Sequence, residues 1–243
     1  MHYVGMDITV GSTTQINLLT GDLLLAVSHS SATFDGSGAT SVTVGSDDVF
    51  VFRPDTPGDY TSGSFILLFA DVPGGGQSLT GITLAEQTTT VGEGGSAVTL
   101  DAGDILFADW NANTADAHIQ RLQPGTLGDT STGTISVLVD GNDLSSDFSL
   151  PSIVGLDLVE QDTAIGGTLL RAGQILLSLP GGDDIGGVSA GEHDVVLLDV
   201  TTTGVNSSAT ATILLDGSDV GLDAWQEDIR GLSLSPSSNH APT

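Results

Sequence analysis

Apolar residues along this chain fall in short runs bounded by Gly, Asp, Ser, Thr or Pro, and a sustained helical period is scarce. Runs such as Val49-Phe50-Val51-Phe52 and Val195-Val196-Leu197-Leu198 are rich in β-branched and aromatic residues. That pattern predicts strands joined by turns.

The runs recur in a fixed order. Gly5-Met6-Asp7-Ile8, Gly81-Ile82-Thr83-Leu84, Gly155-Leu156-Asp157-Leu158 and Gly231-Leu232-Ser233-Leu234 stand at intervals of 76, 74 and 76 residues. A second motif follows three times, a Gly turn feeding Leu23-Leu24-Leu25, Ile105-Leu106-Phe107 and Ile175-Leu176-Leu177. A third runs into Phe65 to Leu68, Ile135 to Leu138 and Ala211 to Leu214. Between these two lie Val49 to Phe52, Ile119 to Leu122 and Val195 to Leu198.

Each unit thus offers four strands, and self-similarity at this period is the mark of a repeat architecture. The expected fold is all-β: three tandem antiparallel four-stranded repeats around a pseudo-symmetric core, propeller- or prism-like, in one domain over 1–237. The units are expected at about 9–84, 85–158 and 159–234, with 4–8 as an extra closing strand. The first-to-second strand connection varies most and is expected to be a surface loop. Two segments could be helical instead, Asn113 to Leu122, where a strand is preferred, and Asp223 to Ile229.

Composition narrows the function classes. Of 243 residues 39% are hydrophobic but only 5% aromatic, which suits thin sheets built from Leu, Ile, Val and Ala. Thirty-one acidic residues face four arginines and no lysine, a formal net charge of −27. Nucleic acid and anionic membranes, which are bound through Lys and Arg, are poor partners for such a surface. Self-repulsion on this scale is relieved in a salty or Ca²⁺-containing medium. There is no Cys, and no apolar run approaches membrane-spanning length. An export signal is expected to lie outside this sequence.

The tail Ser238-Asn239-His240-Ala241-Pro242-Thr243 reads as a linker to a following domain. Its Asn-x-Ala-Pro-Thr resembles the start of cadherin-like or VCBS-type domains in giant bacterial surface proteins. Leu215-Asp216-Gly217-Ser218-Asp219-Val220-Gly221-Leu222, followed by Glu227-Asp228-Ile229, resembles repeat modules that accompany such domains in large secreted adhesin-like chains. The likeness is partial at Val139 to Leu144 and degraded at Ala70-Asp71-Val72. It implies an extracellular or cell-surface location, a non-catalytic structural or adhesive role, and neighbouring domains of the same parent chain as partners.

Acidic turns are the first candidates for chemistry. Asp140, Asn142 and Asp143 in one repeat, and Asp216, Ser218, Asp219 and Asp223 in another, gather oxygen donors beside a flexible Gly, as Ca²⁺ requires. The plainer reading is a hairpin turn whose Asp caps its own backbone. Gly187-Val188-Ser189-Ala190-Gly191, with His193 close by, fits the Gly-x-Ser-x-Gly pattern of serine hydrolases, but a nucleophile elbow needs a strand before the Ser and a helix after it. His2, His29, His118, His193 and His240 lack zinc spacing. Trp110 and Trp225 offer stacking platforms for a carbohydrate-binding, lectin-like alternative, with surface glycans as partners, against core filling as the bland reading.

Overall fold

The computed structural model describes residues 1–27, 31–37, 41–72, 78–110, 118–144, 153–181, 183–222 and 228–234. The chain is all-β, built from several antiparallel sheets. It opens with β1 (His2–Tyr3), β2 (Ile8–Val10), β3 (Ile16–Leu18), β4 (Leu23–Leu25), β5 (Ala32–Asp35), β6 (Ser41–Val44), β7 (Val49–Thr56) and β8 (Asp59–Phe69). Next come β9 (Ser78–Leu84), β10 (Thr89–Val91), β11 (Val98–Leu100), β12 (Ile105–Trp110), β13 (Ile119–Thr126) and β14 (Thr132–Val139). The last are β15 (Gly155–Leu158), β16 (Thr163–Ile165), β17 (Thr168–Leu170), β18 (Ile175–Ser178), β19 (Asp183–Ile185), β20 (Val188–Ala190), β21 (Val195–Thr202) and β22 (Ser208–Leu215).

Three four-stranded sheets result, in the orders β1-β4-β7-β8, β9-β12-β13-β14 and β15-β18-β21-β22. They share one register. Leu23, Ile105 and Ile175 face Tyr3, Leu84 and Leu158 on one side, and Phe52, Leu122 and Leu198 on the other. The outer pair of each sheet slips by one residue in its distal half, at Pro54/Thr56, Pro124/Thr126 and Val200/Thr202.

Period-2 alternation gives each sheet two apolar faces, and buried clusters join them. One cluster combines Leu24, Val51 and Leu68 of the first sheet with Ile82, Ile105 and Leu122 of the second. Another combines Leu106, Ala108 and Ile119 with Leu156, Leu177 and Leu198 of the third. The far face of the third sheet, with Leu176 and Leu197, is packed by Ile229, Leu232 and Leu234. On the near face of the first, Phe34 stacks on Phe50 and meets Phe65 at a tilt, each at 5.1 Å between ring centroids.

The pairing corrects three expectations. The strands ending at Leu84 and Leu158 open the second and third sheets, because they pair forward with β12 and β18. In the first sheet the corresponding strand is His2–Tyr3, not Gly5 to Ile8, since Leu23 and Leu24 face Tyr3 and His2. The connections expected to vary as surface loops, from β4 to β7 and from β18 to β21, hold the short hairpins β5–β6 and β19–β20. Ile119 to Leu122 is strand, as preferred, while 111–117 and 223–227 lie outside the described residues, as does the expected linker.

Candidate functional site

The first strands of the three sheets meet at a buried polar centre. His2, Thr83 and Asp157 occupy the same place in β1, β9 and β15, facing Leu24, Leu106 and Leu176. Thr83 Oγ1 donates to Asp157 Oδ1 at 2.6 Å and lies 3.0 Å from His2 Nδ1. His2 Nε2 stands 3.0 Å from Glu86 Oε1, and Nδ1 3.4 Å from Asp157 Oδ1. With the Thr83 proton committed to Asp157, both imidazole nitrogens face acceptors, so both carry protons. Burial alone would lower the His2 pKa, but hydrogen bonds to Asp157 and Glu86 and the charges of both raise it to about 9. The C-terminal segment joins the same centre, where Ser233 Oγ accepts the Tyr3 amide at 3.0 Å and the Leu234 amide donates to Asp157 Oδ2.

A carboxylate ladder runs beside it. Glu86 Oε1 accepts the Gly5 amide at 2.7 Å, and Glu160 Oε1 accepts the amides of Glu86 and Gln87. Burial pushes the Glu160 carboxyl up to about 7, the Glu86 charge adding to the shift and the His2 charge and the two amides opposing it. No sequence signal marks this centre, in which His2 and Asp157 stand 155 residues apart and Tyr3 and Ser233 stand 230 apart.

The turn before each second strand is held by its own side chain. Asp22 Oδ2 accepts the Leu19 amide and Asp104 Oδ2 the Asp101 amide, while Gln174 Oε1 accepts that of Arg171. Where the turn residue is a carboxylate, an arginine on the third strand covers it: Arg53 Nη2 lies 2.7 Å from Asp22, and Arg121 Nε 2.7 Å from Asp104. Burial pushes the Asp104 carboxyl up, while the Asp101 amide and Arg121 pull it back. Where the turn residue is neutral Gln174, Asp199 stands in the place of Arg53. Two of the four arginines are spent in this way.

The sequence candidates are dispersed. Asp140 Oδ1 accepts the Asn142 amide, Asp143 Oδ2 the Ser207 amide, and Asp216 Oδ1 both the amide and the hydroxyl of Ser218. Asp140 and Asp216 cap short 3₁₀ turns, Gly141–Asp143 and Gly217–Val220, which contain Asp143 and Asp219. The Ser218 hydroxyl and amide hold the Asp216 carboxyl below its ordinary range. Asp223 and Trp225 lie outside the described residues, and Trp110 ends β12 opposite Ser78. Ser189 is exposed in the middle of β20, opposite Asp184, and a turn into β21 follows, so the strand–Ser–helix elbow is not formed. His193 Nε2 sits 3.5 Å from Glu192, and His118 Nδ1 3.3 Å from Asp140. His29 and His240 lie outside the described residues.

Among the described residues, the acidic trio whose oxygens approach within 4.8 Å of one another is Asp47, Asp48 and Asp71. Asp48 accepts the amides of Gly45 and Asp71, and Asp71 takes a left-handed φ of 51°. The sequence reading passed over it because its third member falls in the degraded copy Ala70-Asp71-Val72. Three carboxylates supply part of the six to eight oxygens Ca²⁺ takes.

Two polar clefts occupy corresponding places beside the Asp22 and Asp104 turns. One, of about 540 Å³, lies between Thr20, Pro54, Asp55 and Ser64. The other, of about 590 Å³, lies between Asp101, Pro124, Thr132 and Thr134, with Thr9 and Ser12 of the preceding hairpin as its outer wall. Among the described residues no helix is long and apolar enough to cross a membrane. Comparison with protein-family models, curated proteins and solved structures finds no match for this chain.

Proposed function

We propose that this chain is a structural and adhesive module of an extracellular surface protein, non-catalytic, with its sheets set blade-fashion around the polar centre. The observation that carries the reading is that the bonds tying the first sheet to the second recur between the second and third. Gly128 N donates to Leu68 O at 3.0 Å, and Gly204 N to Leu138 O at 2.9 Å. The Ala70 amide donates to Ser131 Oγ at 2.9 Å, and the Asp140 amide to Ser207 Oγ at 2.8 Å. The glutamate ladder repeats in the same sense. Stability in such an array is a sum of units and nearest-neighbour interfaces, which suits a part that spaces and displays its neighbouring domains.

Charge supports the setting. With Arg53 and Arg121 turned onto buried carboxylates, the surface is strongly acidic, and seawater-like salt or Ca²⁺ relieves it. Ca²⁺ belongs to the proposal through Asp47, Asp48 and Asp71.

Beads coated with the chain should be retained under flow on native cell-surface material above beads coated with an unrelated acidic protein; equal retention overturns the adhesive role. Thermal melting with submillimolar Ca²⁺ against chelator tests the ion. A rise is expected in the parent and not in Asp71→Asn, which keeps the left-handed backbone and removes one charge. A parent that melts alike in both media removes Ca²⁺ from the proposal.

A further inference from the structure

We propose that the two clefts beside the Asp22 and Asp104 turns are saccharide sites, each taking a stretch of neutral, hydroxyl-rich oligosaccharide. The inference goes beyond the structural reading and does not depend on it.

The clefts are built alike. Each has a proline on the third strand facing a glycine on the fourth, Pro54 with Gly63 and Pro124 with Gly133. A Cβ on Gly63 would stand 2.4 Å from Arg53 O and 2.5 Å from the Phe52 ring. One on Gly133 would stand 2.7 Å from Leu122 Cδ1 and 2.9 Å from Gln123 O. Glycine is therefore required at both places, because the Phe52 ring and the Leu122 side chain occupy the space a Cβ would enter. The side walls carry paired donors and acceptors: Thr20, Asp55 and Ser64 in one, Asp101, Gln123 and Thr134 in the other. The turns that form the inner walls are fixed in advance, by the Asp22 and Asp104 bonds to backbone amides and arginine.

Ligand chemistry follows by elimination. Volumes of 540 and 590 Å³ are in the range of small-molecule sites, about 300 to 1,000 Å³. An apolar ligand would leave hydroxyls and carboxylates desolvated and unpaired, at a cost of about 1 to 3 kcal/mol for each buried group. An anion would meet Asp7 and Asp55 in one cleft and Asp101 in the other, with Arg53 already neutralised by Asp22. A bound metal needs converging oxygens, and among the described residues the acidic group that converges is Asp47, Asp48 and Asp71, away from both clefts. A neutral polyol satisfies every wall group, because each of its hydroxyls can donate to a carboxylate and accept from Thr, Ser or Gln. Two such sites on one chain also give bivalent attachment to a polysaccharide, whose avidity exceeds that of either site.

Isothermal titration calorimetry with maltohexaose, cellohexaose and mannohexaose tests the proposal, with hexagalacturonate and spermidine as charged comparisons. At least one neutral hexasaccharide should bind with two sites per chain. Gln123→Ala with Thr134→Val should reduce the stoichiometry to one, Asp55→Ala with Ser64→Ala should remove the other site, and the fourfold variant should not bind while melting like the parent. The proposal is overturned by absence of heat with all three neutral sugars, by undiminished binding in the fourfold variant, or by equal binding of hexagalacturonate. Binding of spermidine alone would show the clefts to be cation traps and overturn it equally.

Discussion

The His2 imidazole lies 3.0 Å from the Glu86 carboxylate, and both side chains are almost wholly withdrawn from water, at 6% and 1% exposure. The second Glu86 oxygen has no hydrogen-bond partner among the described residues. Loss of the imidazole proton therefore leaves Glu86 and Asp157 buried beside a neutral ring. The His2 pKa is raised from 6.5 to about 9, so the native state holds this proton more tightly than the unfolded chain does. Its stabilisation is complete below about pH 6.5, declines above it, and is gone beyond about pH 9. Glu160, raised from 4.5 to about 7, acts in the same sense between those values. Asp7, Asp59 and Asp216 are lowered from 3.8, so their contributions fade only in more acidic solution. Urea midpoints should therefore fall steadily from pH 5 to pH 9.5. Glu160→Gln should flatten the lower part of the profile and His2→Gln the upper part. A parent midpoint that rises over this interval would show that the His2 and Glu160 protons are not held as described.

The arginine clamp predicts a compensation that can be measured. Arg53→Leu leaves Asp22, whose side chain is 1% exposed, with its charge buried against one amide. Breaking a buried pair costs about 3 to 5 kcal/mol, and the partial exposure of Arg53 at 29% lowers this to roughly 2 to 3 kcal/mol. The third sheet shows the alternative, with Gln174 in the turn and Asp199 across from it. Asp22→Gln with Arg53→Asp should thus recover most of the loss. A single Arg53→Leu variant within about 0.5 kcal/mol of the parent, the ordinary range for surface changes, would show that the clamp contributes nothing.

Much of the β content was legible because its strands are apolar and long enough to alternate. Val49 to Phe52, Ile119 to Leu122 and Val195 to Leu198 all lie at the starts of eight-residue strands. The hairpins escaped notice: Thr89-Thr90-Val91 and Val98-Thr99-Leu100 are three residues each and half polar, too short for a period to show. The Gly5 motif misled for another reason. It stands 76 residues before Gly81, yet Met1-His2-Tyr3 takes the place of Ile82-Thr83-Leu84, and only the facing Leu23 and Leu24 reveal this. The buried polar centre was invisible because its chemistry resides in single residues on separate strands. His2, Thr83 and Asp157 share a function only after three sheets have been brought together.

Salt should act on the whole chain through its charge of −27. Raising NaCl from 10 mM to 150 mM shortens the Debye length from about 30 Å to about 8 Å, which screens repulsion between exposed carboxylates but scarcely touches the buried His2 pair. The melting temperature should rise over that interval and then level off. The same rise is expected in His2→Gln, because the two effects act on different groups. A melting temperature independent of salt would place the acidic residues in locally compensated surroundings instead.

Gly21, Gly103 and Gly173 sit in the same turn of the three sheets, with φ of 98°, 99° and 91°, but meet different neighbours. A Cβ on Gly21 would have nothing within 4 Å, one on Gly103 would lie 3.4 Å from Thr9 O, and one on Gly173 would come 2.2 Å from Thr90 O. Alanine at any of them carries the left-handed backbone penalty of about 1 to 2 kcal/mol. At Gly173 the carbonyl of the preceding sheet's hairpin must also be displaced, adding overpacking strain of about 1 to 3 kcal/mol. Denaturant titration should therefore rank Gly21→Ala as mildest, Gly103→Ala close to it, and Gly173→Ala as clearly the most damaging. Because this last penalty comes from contact between sheets, a Gly173→Ala variant as stable as Gly21→Ala would show that the turn of the third sheet does not press on β10.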